Sequence, residues 1–375
     1  MVLLFLKLGT IAFGGPAAHI AMMHSEVVRR RGWLDEQRFV DLIGATNLIP
    51  GPNSTELAIH LGYDRARWKG LLAAGACFIL PAALIVGVLA WAYLRYGGTP
   101  AAEGLLYGIK PVVIGIIAQA LFSLLRTAVR GPLPALVAAA ALVAYFAGIN
   151  ELAILAAGGL IVVLVRTRPY RYFTGRGPRS AAVLPLLVAG QPHFTDPTGG
   201  QLAQLFLNLL KIGAVLYGSG YVLLAFLRGD FVARLGWISQ TQLIDAVSIG
   251  QFTPGPVFTT ATFVGYLVAG LPGAVLATVA IFLPSFCLVA LLTRITDRLR
   301  RATWSAALLD GVNATALALM AGVSYQLART ALVDPLTVAL TLVTLVLLWR
   351  TRLNSGWLIA AGAAVGLAHT FLYVA

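Results

Sequence analysis

The sequence predicts an all-α polytopic integral membrane protein: two inverted structural repeats of about five transmembrane helices each, with Pro-Gly-Pro broken or re-entrant helices at the repeat interface. Three observations lead there. The 375 residues are 59% hydrophobic and 11% charged, with a mean hydropathy of +0.86. Soluble domains carry about 25% charged residues, so water is not the main solvent of this fold. A tripeptide occurs twice in matching surroundings, Pro50-Gly51-Pro52 and Pro254-Gly255-Pro256. Basic residues, finally, collect between apolar runs instead of on one solvated face.

The duplication has a register. At the spacing that carries Pro50 onto Pro254, Lys7, Gly9, Gly14, Arg30, Gly32, Trp33 and Asp41 fall on Lys211, Gly213, Gly218, Arg234, Gly236, Trp237 and Asp245. One residue is lost after the tripeptide, and Gly62-Tyr63, Gly70 and Pro81 then meet Gly265-Tyr266, Gly273 and Pro284. Self-similarity of this kind is the signature of an internal repeat. The expected units are residues 1–166, a basic linker at 167–200 rich in Arg, Pro and Gly, and residues 201–375.

Taken in order, each half opens with a helix (3–23 and 205–227) that contains a glycine cluster and ends in charge. Gly-Trp and a moderately apolar piece (35–49 and 239–252) lead to the tripeptide and a short helix after it. Four spans follow, at 70–95, 104–125, 132–148 and 152–166, then 271–293, 304–328, 335–350 and 356–373. A full crossing needs roughly 20 apolar residues. The pieces flanking the tripeptide are too short and polar for that, so they are expected to re-enter or break. Five crossings per half is an odd number, which turns the halves opposite ways. With the linker placed in the cytoplasm, the loops holding 29–69, 126–130, 294–301 and 350–352 lie inside and both termini outside, in agreement with the positive-inside rule.

That rule also accounts for the net charge of +13, so a nucleic-acid partner is not expected and the lipid bilayer is. Cys77 and Cys287 lie in apolar runs at unmatched positions and are expected as small core residues. Met1 opens directly into an apolar segment, so no cleavable signal peptide is expected. No metal-ligand spacing, catalytic triad, Walker loop or dinucleotide fingerprint stands in its required context. Neither a cofactor nor an enzyme activity is expected.

Proline removes a backbone donor and blocks the preceding turn, so Pro-Gly-Pro stops a helix. Inside hydrocarbon the freed groups must face protein or a water-filled cavity. The next helix begins with Asn53-Ser54-Thr55 in one half and Val257-Phe258-Thr259-Thr260 in the other. Asn, Ser and Thr suit a helix cap, and a helix N-terminus suits an anion. Inverted halves aim two such ends at the midplane, which describes a transporter site for a negatively charged substrate. A kink serving packing alone is the plainer reading of each tripeptide.

Candidate anion-holding groups therefore include Asn47, Gly51, Asn53, Ser54 and Thr55 in the first half, and Gly255, Thr259 and Thr260 in the second. Gly14-Gly15 and Gly218-Ser219-Gly220 join them if they unwind the opening helices; close helix packing is the alternative. Lys7, Lys211 and Arg30 are possible charge partners of the anion, though snorkelling anchors are commoner for such lysines. Glu26, Glu56 and His60 are candidates for coupling, Glu56 and His60 sharing a helix face four residues apart. A satisfied Glu–His or Glu–Arg pair is the competing reading. In the second half Asp230 falls opposite Glu26.

These residues resemble the bacterial chromate ion transporter family in its long, two-domain form. The resemblance rests on Phe13-Gly14-Gly15-Pro16 with His19, on Glu26, Arg30 and Trp33-Leu34, and on Asn47 through Ala58 leading to Gly62-Tyr63. Gly236-Trp237, the segment Gln251 to Pro256, and Gly265-Tyr266 carry it in the second half. It spans essentially the whole chain. One departure is that the chain starts almost at the first motif, so any preceding cytoplasmic segment is expected to be absent or trimmed. The resemblance implies export of chromate across the bacterial inner membrane, driven by the proton-motive force and conferring resistance. It adds His19 to the candidate substrate-binding residues. A sulfate or general oxyanion permease stays open, as do a passive channel and an intramembrane enzyme acting on a phosphate-bearing lipid through His24 and Glu26. The oligomeric state stays open too, a homodimer among the choices.

Overall fold

A computed structural model describes residues 1–13, 15–129, 131–167, 199–217, 220–292, 303–351 and 353–373. Most of the basic linker, Gly14, Gly218 and Ser219 lie outside the described residues. Among those described, the chain is helical with no strand.

The first half opens with α1 (Val2–Ile11) and α2 (Gly15–His24), two short helices where one interrupted helix was expected. A π-turn, Ser25–Arg30, carries the charged stretch. Helix α3 (Glu36–Thr46) starts where the Asp35 carboxylate accepts from the Arg38 amide at 2.7 Å. Beyond the tripeptide, α4 (Asn53–Tyr96) fuses the expected short helix and first span across a kink at Ala66-Arg67. Helices α5 (Pro100–Ala128), α6 (Pro132–Phe146) and α7 (Glu151–Thr167) complete the half, close to the bounds expected from apolar runs.

The second half repeats this order: α8 (Gly199–Val215), a 3-10 turn at Gly220–Val222, α9 (Leu223–Leu227), a π-turn at Arg228–Arg234 and α10 (Gln240–Phe252). Then come a 3-10 turn at Val257–Thr259, α11 (Thr260–Leu292), α12 (Thr303–Ala331), α13 (Pro335–Arg350) and α14 (Ser355–Tyr373). The likeness reaches single hydrogen bonds. Trp33 N–H donates to Val27 C=O and Trp237 N–H to Phe231 C=O, both at 2.9 Å. The kinks match as well: Arg67 has φ 52, ψ −137 and Gly270 has φ 61, ψ −148.

Among the described residues, five helices are long and apolar enough to cross a membrane, within α4, α5, α11, α12 and α14. The other expected crossings of the four-span sets are shorter: Pro132–Phe146 has 15 residues, Glu151–Thr167 17 and Pro335–Arg350 16. At 1.5 Å per residue these reach about 22–26 Å, under the roughly 30 Å of a hydrocarbon core. Both the interior and the outer face are apolar. Val86, Phe226, Phe258 and Phe263 are buried, while Leu80, Leu84, Val88 and Trp91 lie exposed along successive turns of α4. An apolar outer stripe over an apolar core is what lipid, not water, stabilises.

Candidate functional site

The two Pro-Gly-Pro breaks meet the opening helices of each other's halves. Gly51 N–H donates to Leu216 C=O at 2.7 Å, and Gly255 N–H donates to Ala12 C=O at 2.9 Å. Ala12 and Leu216 follow the last residues of α1 and α8, where carbonyls lose their helical partners. Each break thus supplies a donor to an orphaned helix end across the repeat. Both glycines have positive φ, 139° and 97°. A Cβ on Gly51 would strike the Glu56 carboxyl and lie 2.6 Å from Ser285 Oγ; one on Gly255 would lie 2.6 Å from Ala82 Cβ. In the duplicated register Ala82 and Ser285 are equivalent, each following the proline inside a long helix, Pro81 or Pro284.

Around the first break, buried polar groups form a connected set. His19 Nε2 lies 3.0 Å from Ala12 C=O, and His19 Nδ1 lies 3.2 Å from Ser54 Oγ. A carbonyl only accepts, so Nε2 carries the proton and neutral Nδ1 accepts from the serine hydroxyl. Ala12 C=O therefore takes donors from both halves. Glu56 is fully buried; its Oε1 accepts from Ser285 Oγ at 3.4 Å, and its Oε2 has no partner. Thr55 Oγ1 and His60 Nε2 are also buried without partners among the described residues. An unsatisfied buried polar group costs about 1–3 kcal/mol, and each one needs a reason.

Capping is not what the expected residues do. Pro52 occupies the cap position of α4 without a side-chain cap, because the break places Asn53, Ser54 and Thr55 already inside the first turn. The Thr55 and Glu56 amides return to Pro52 C=O at 2.8 and 3.1 Å. Asn53 reaches back over the tripeptide instead, its Nδ2 donating to Asn47 Oδ1 at 2.8 Å, with Asn47 exposed. Glu56 and His60 share the face but do not pair; Glu56 turns to Ser285.

The second break is plainer. Thr259 Oγ1 donates to Pro256 C=O at 2.8 Å, while Thr260 Oγ1 is buried with no partner among the described residues. Gly220 packs on the segment after the break, with Val257 Cβ 3.3 Å from where its own Cβ would stand. Gly15 starts α2 with φ 73°.

Lys7, Arg30 and Glu26 sit apart from the breaks, in an ion cluster. Glu26 Oε1 takes Lys7 Nζ at 3.1 Å and Arg30 at 2.9 Å, and Oε2 contacts Arg31. The Lys7 ammonium, with Arg30 and Arg31, holds the Glu26 carboxyl below the usual carboxylate range. The second half repeats the arrangement, Asp230 taking Lys211 at 2.7 Å and Arg234 at 3.0 Å. Among the described residues no three His, Cys, Asp or Glu side chains gather as metal ligands would.

Two groups escaped the sequence reading. Ser285 shows itself only when the register is carried one residue past the matched prolines, where serine faces alanine. Asp245 belongs to the matched pairs, yet gives no sign in sequence of its partners Lys110 and Tyr93, which come from the other half.

The family model described as "Chromate transporter" matches residues 1–163 and 203–367. The chain is 35% identical to the "Chromate transport protein" of Cupriavidus metallidurans, covering 97% of this chain and 91% of that one. It is 33% identical to the "Probable chromate transport protein" of Synechococcus elongatus over 92% and 88% of the two chains. With the "Chromate transport protein" of Pseudomonas aeruginosa it shares 30% identity over 96% and 90%. No solved structure matches it.

Proposed function

We propose that this chain, which belongs to the chromate transporter family, exports chromate across the bacterial inner membrane as a secondary transporter coupled to the proton-motive force. The observation that carries the reading is the crossing of the two Pro-Gly-Pro breaks, where Ser54, Thr55, Glu56 and His60 are buried beside broken helix ends. A tetrahedral dianion is held by donors, and hydroxyls and first-turn amides supply them without fixed charge. Lys7, Lys211 and Arg30, already engaged by carboxylates, act at a distance in this reading.

Glu56 gives the site its proton dependence. Protonated, its carboxyl donates a hydrogen bond to an oxyanion; ionised, it repels one. Units 1–166 and 201–375 act as inverted repeats that rock about the crossed breaks. Hydroxyls and amides distinguish tetrahedral dianions weakly, since small size differences are worth about 1–3 kcal/mol. Sulfate is therefore the competitor to test.

Chromate uptake into energised everted vesicles, with and without excess sulfate, tests this. Gradient-dependent uptake is expected, and its resistance to sulfate measures selectivity for chromate. Thr55→Val removes a hydroxyl at nearly constant volume and is expected to lower uptake efficiency about 10- to 100-fold, the worth of a hydrogen bond to a charged group. Uptake abolished by sulfate makes the chain a general oxyanion carrier, and an unchanged Thr55→Val moves the site elsewhere.

A further inference from the structure

Away from the crossed breaks, a cavity of about 350 Å³ opens among the ends of α4, α5, α10 and α12. Tyr93, Tyr107, Lys110, Thr241, Asp245 and Thr330 line it, and Lys110 is its one cation among the described residues. Asp245 comes from α10, the helix that runs into the second break; its side chain is only 3% exposed. Lys110 Nζ stands 2.9 Å from Asp245 Oδ1. Asp245 Oδ2 is held separately, by the Tyr93 hydroxyl at 2.9 Å. Further along α10, Ser248 Oγ and Gln251 Nε2 are buried without partners among the described residues. Residues three apart on a helix are neighbours, so Asp245, Ser248 and Gln251 make a polar track about 9 Å long from the cavity toward Pro254.

We propose that the Lys110–Asp245 pair is a proton-linked oxyanion exchange site, placed at the cavity that joins the second break to the outer face. The proposal rests on the transport reading above. Two anions cannot share one ammonium in a poorly solvated site without strong repulsion. An oxyanion therefore takes Lys110 as Asp245 takes a proton from the water of the cavity, and the neutral carboxyl stays anchored on Tyr93. One proton and one anion then enter together, and each raises the affinity for the other. The other titratable groups of the lining are Glu103 and Tyr107 of α5; Asp334 at the cap of α13 and His369 of α14 stand behind Tyr107, and Arg95, Tyr96 and Arg329 lie near the same helix ends outside the lining. Tyr107 donates to Asp334 at 2.5 Å and stacks on His369, so Asp334 and His369 act on the cavity through Tyr107. Glu103 is exposed and well solvated.

The test is the KM for chromate exchange into chromate-loaded right-side-out vesicles, whose outer face carries this cavity in the topology above, between about pH 7.5 and 9, where chromate is a dianion. One linked proton sets an upper limit of about tenfold per pH unit. Wild type is expected to show KM rising with pH. Asp245→Asn carries a permanently neutral side chain, so its KM is expected to stay low and flat. Lys110→Gln is expected to raise KM at least tenfold with a smaller effect on kcat, and Lys110→Arg to recover most of it. Lys110→Gln/Asp245→Asn removes both charges together, so a folding defect caused by one unpaired charge does not obscure the result; its KM is expected to be high and flat. An Asp245→Asn profile that follows wild type, or a wild-type KM in Lys110→Gln, overturns the exchange site and leaves the transport reading standing. A wild-type chain that moves neither chromate nor sulfate overturns both.

Discussion

Replacing Gly255 by alanine tests the crossing itself, because the cost splits into two separable parts. The residue has φ +97°, and a Cβ there costs about 1–2 kcal/mol on conformational grounds. The same Cβ would stand 2.6 Å from Ala82 Cβ and 3.3 Å from Gly9 C=O, and overpacking of that kind costs about 1–3 kcal/mol. Gly255→Ala is therefore expected to destabilise by about 2–5 kcal/mol. Ala82→Gly alone is expected to cost about 1 kcal/mol as a glycine inside a helix. Combined, the two changes leave the conformational part and remove the clash, so the pair is expected to couple by about 1–3 kcal/mol. Unfolding of the four proteins in detergent measures the cycle, and chromate uptake in vesicles shows whether function returns with stability. Strict additivity, a coupling below about 0.5 kcal/mol, would refute the contact between the second break and α4.

Two further changes act away from the crossing. Arg67 occupies a conformation that glycine adopts at the equivalent position 270. Arg67→Gly is expected to release about 1–3 kcal/mol of strain against the loss of an exposed stacking contact with Tyr63 worth about 0.5–1 kcal/mol; a lowered melting temperature counts against the strain. Glu26, held below its ordinary range by Lys7, Arg30 and Arg31, contributes stability that is fully present above the unfolded pKa of about 4.3. That stability is lost as pH falls through the lower folded value. Glu26→Gln is expected to be less stable at neutral pH and to flatten the acid limb of the stability curve, and an unchanged acid limb places the acid sensitivity elsewhere.

Much of the architecture was readable because its causes are local. Apolar runs gave α5, α6, α7, α12, α13 and α14 within a few residues, since lipid imposes the same requirement on every crossing. The breaks were readable because proline acts on its own neighbours. What the breaks bond to was not. Gly51 finds Leu216 and Gly255 finds Ala12 across the repeat, and nothing in a window of sequence reports a partner so far away. The same limit hid the role of Asn53, which was expected to cap α4 and instead clasps Asn47 once Pro52 had taken the cap position. Lys110 was invisible for a related reason: it lies inside the apolar run of α5, and its meaning depends on Asp245 arriving from the other half.

The backbone hydrogen bonds at the crossing are matched, Gly51 to Leu216 and Gly255 to Ala12, yet the side chains are not, and the difference falls in one direction. In the register of the repeat, Glu56 faces Thr259, His60 faces Phe263, His19 faces Leu223 and Ser285 faces Ala82. The first break therefore has Glu56 against Ser285, and the second has Ala82 in the corresponding contact. A symmetric scaffold with symmetric chemistry would offer two equivalent sites and no reason for one anion to settle between them. In the proposed reading, the titratable Glu56 and His60 beside the first break respond to protons while the hydroxyls of the second supply neutral donors. The Lys110–Asp245 pair then complements this division, because it brings a titratable carboxylate to the helix that leads into the second break.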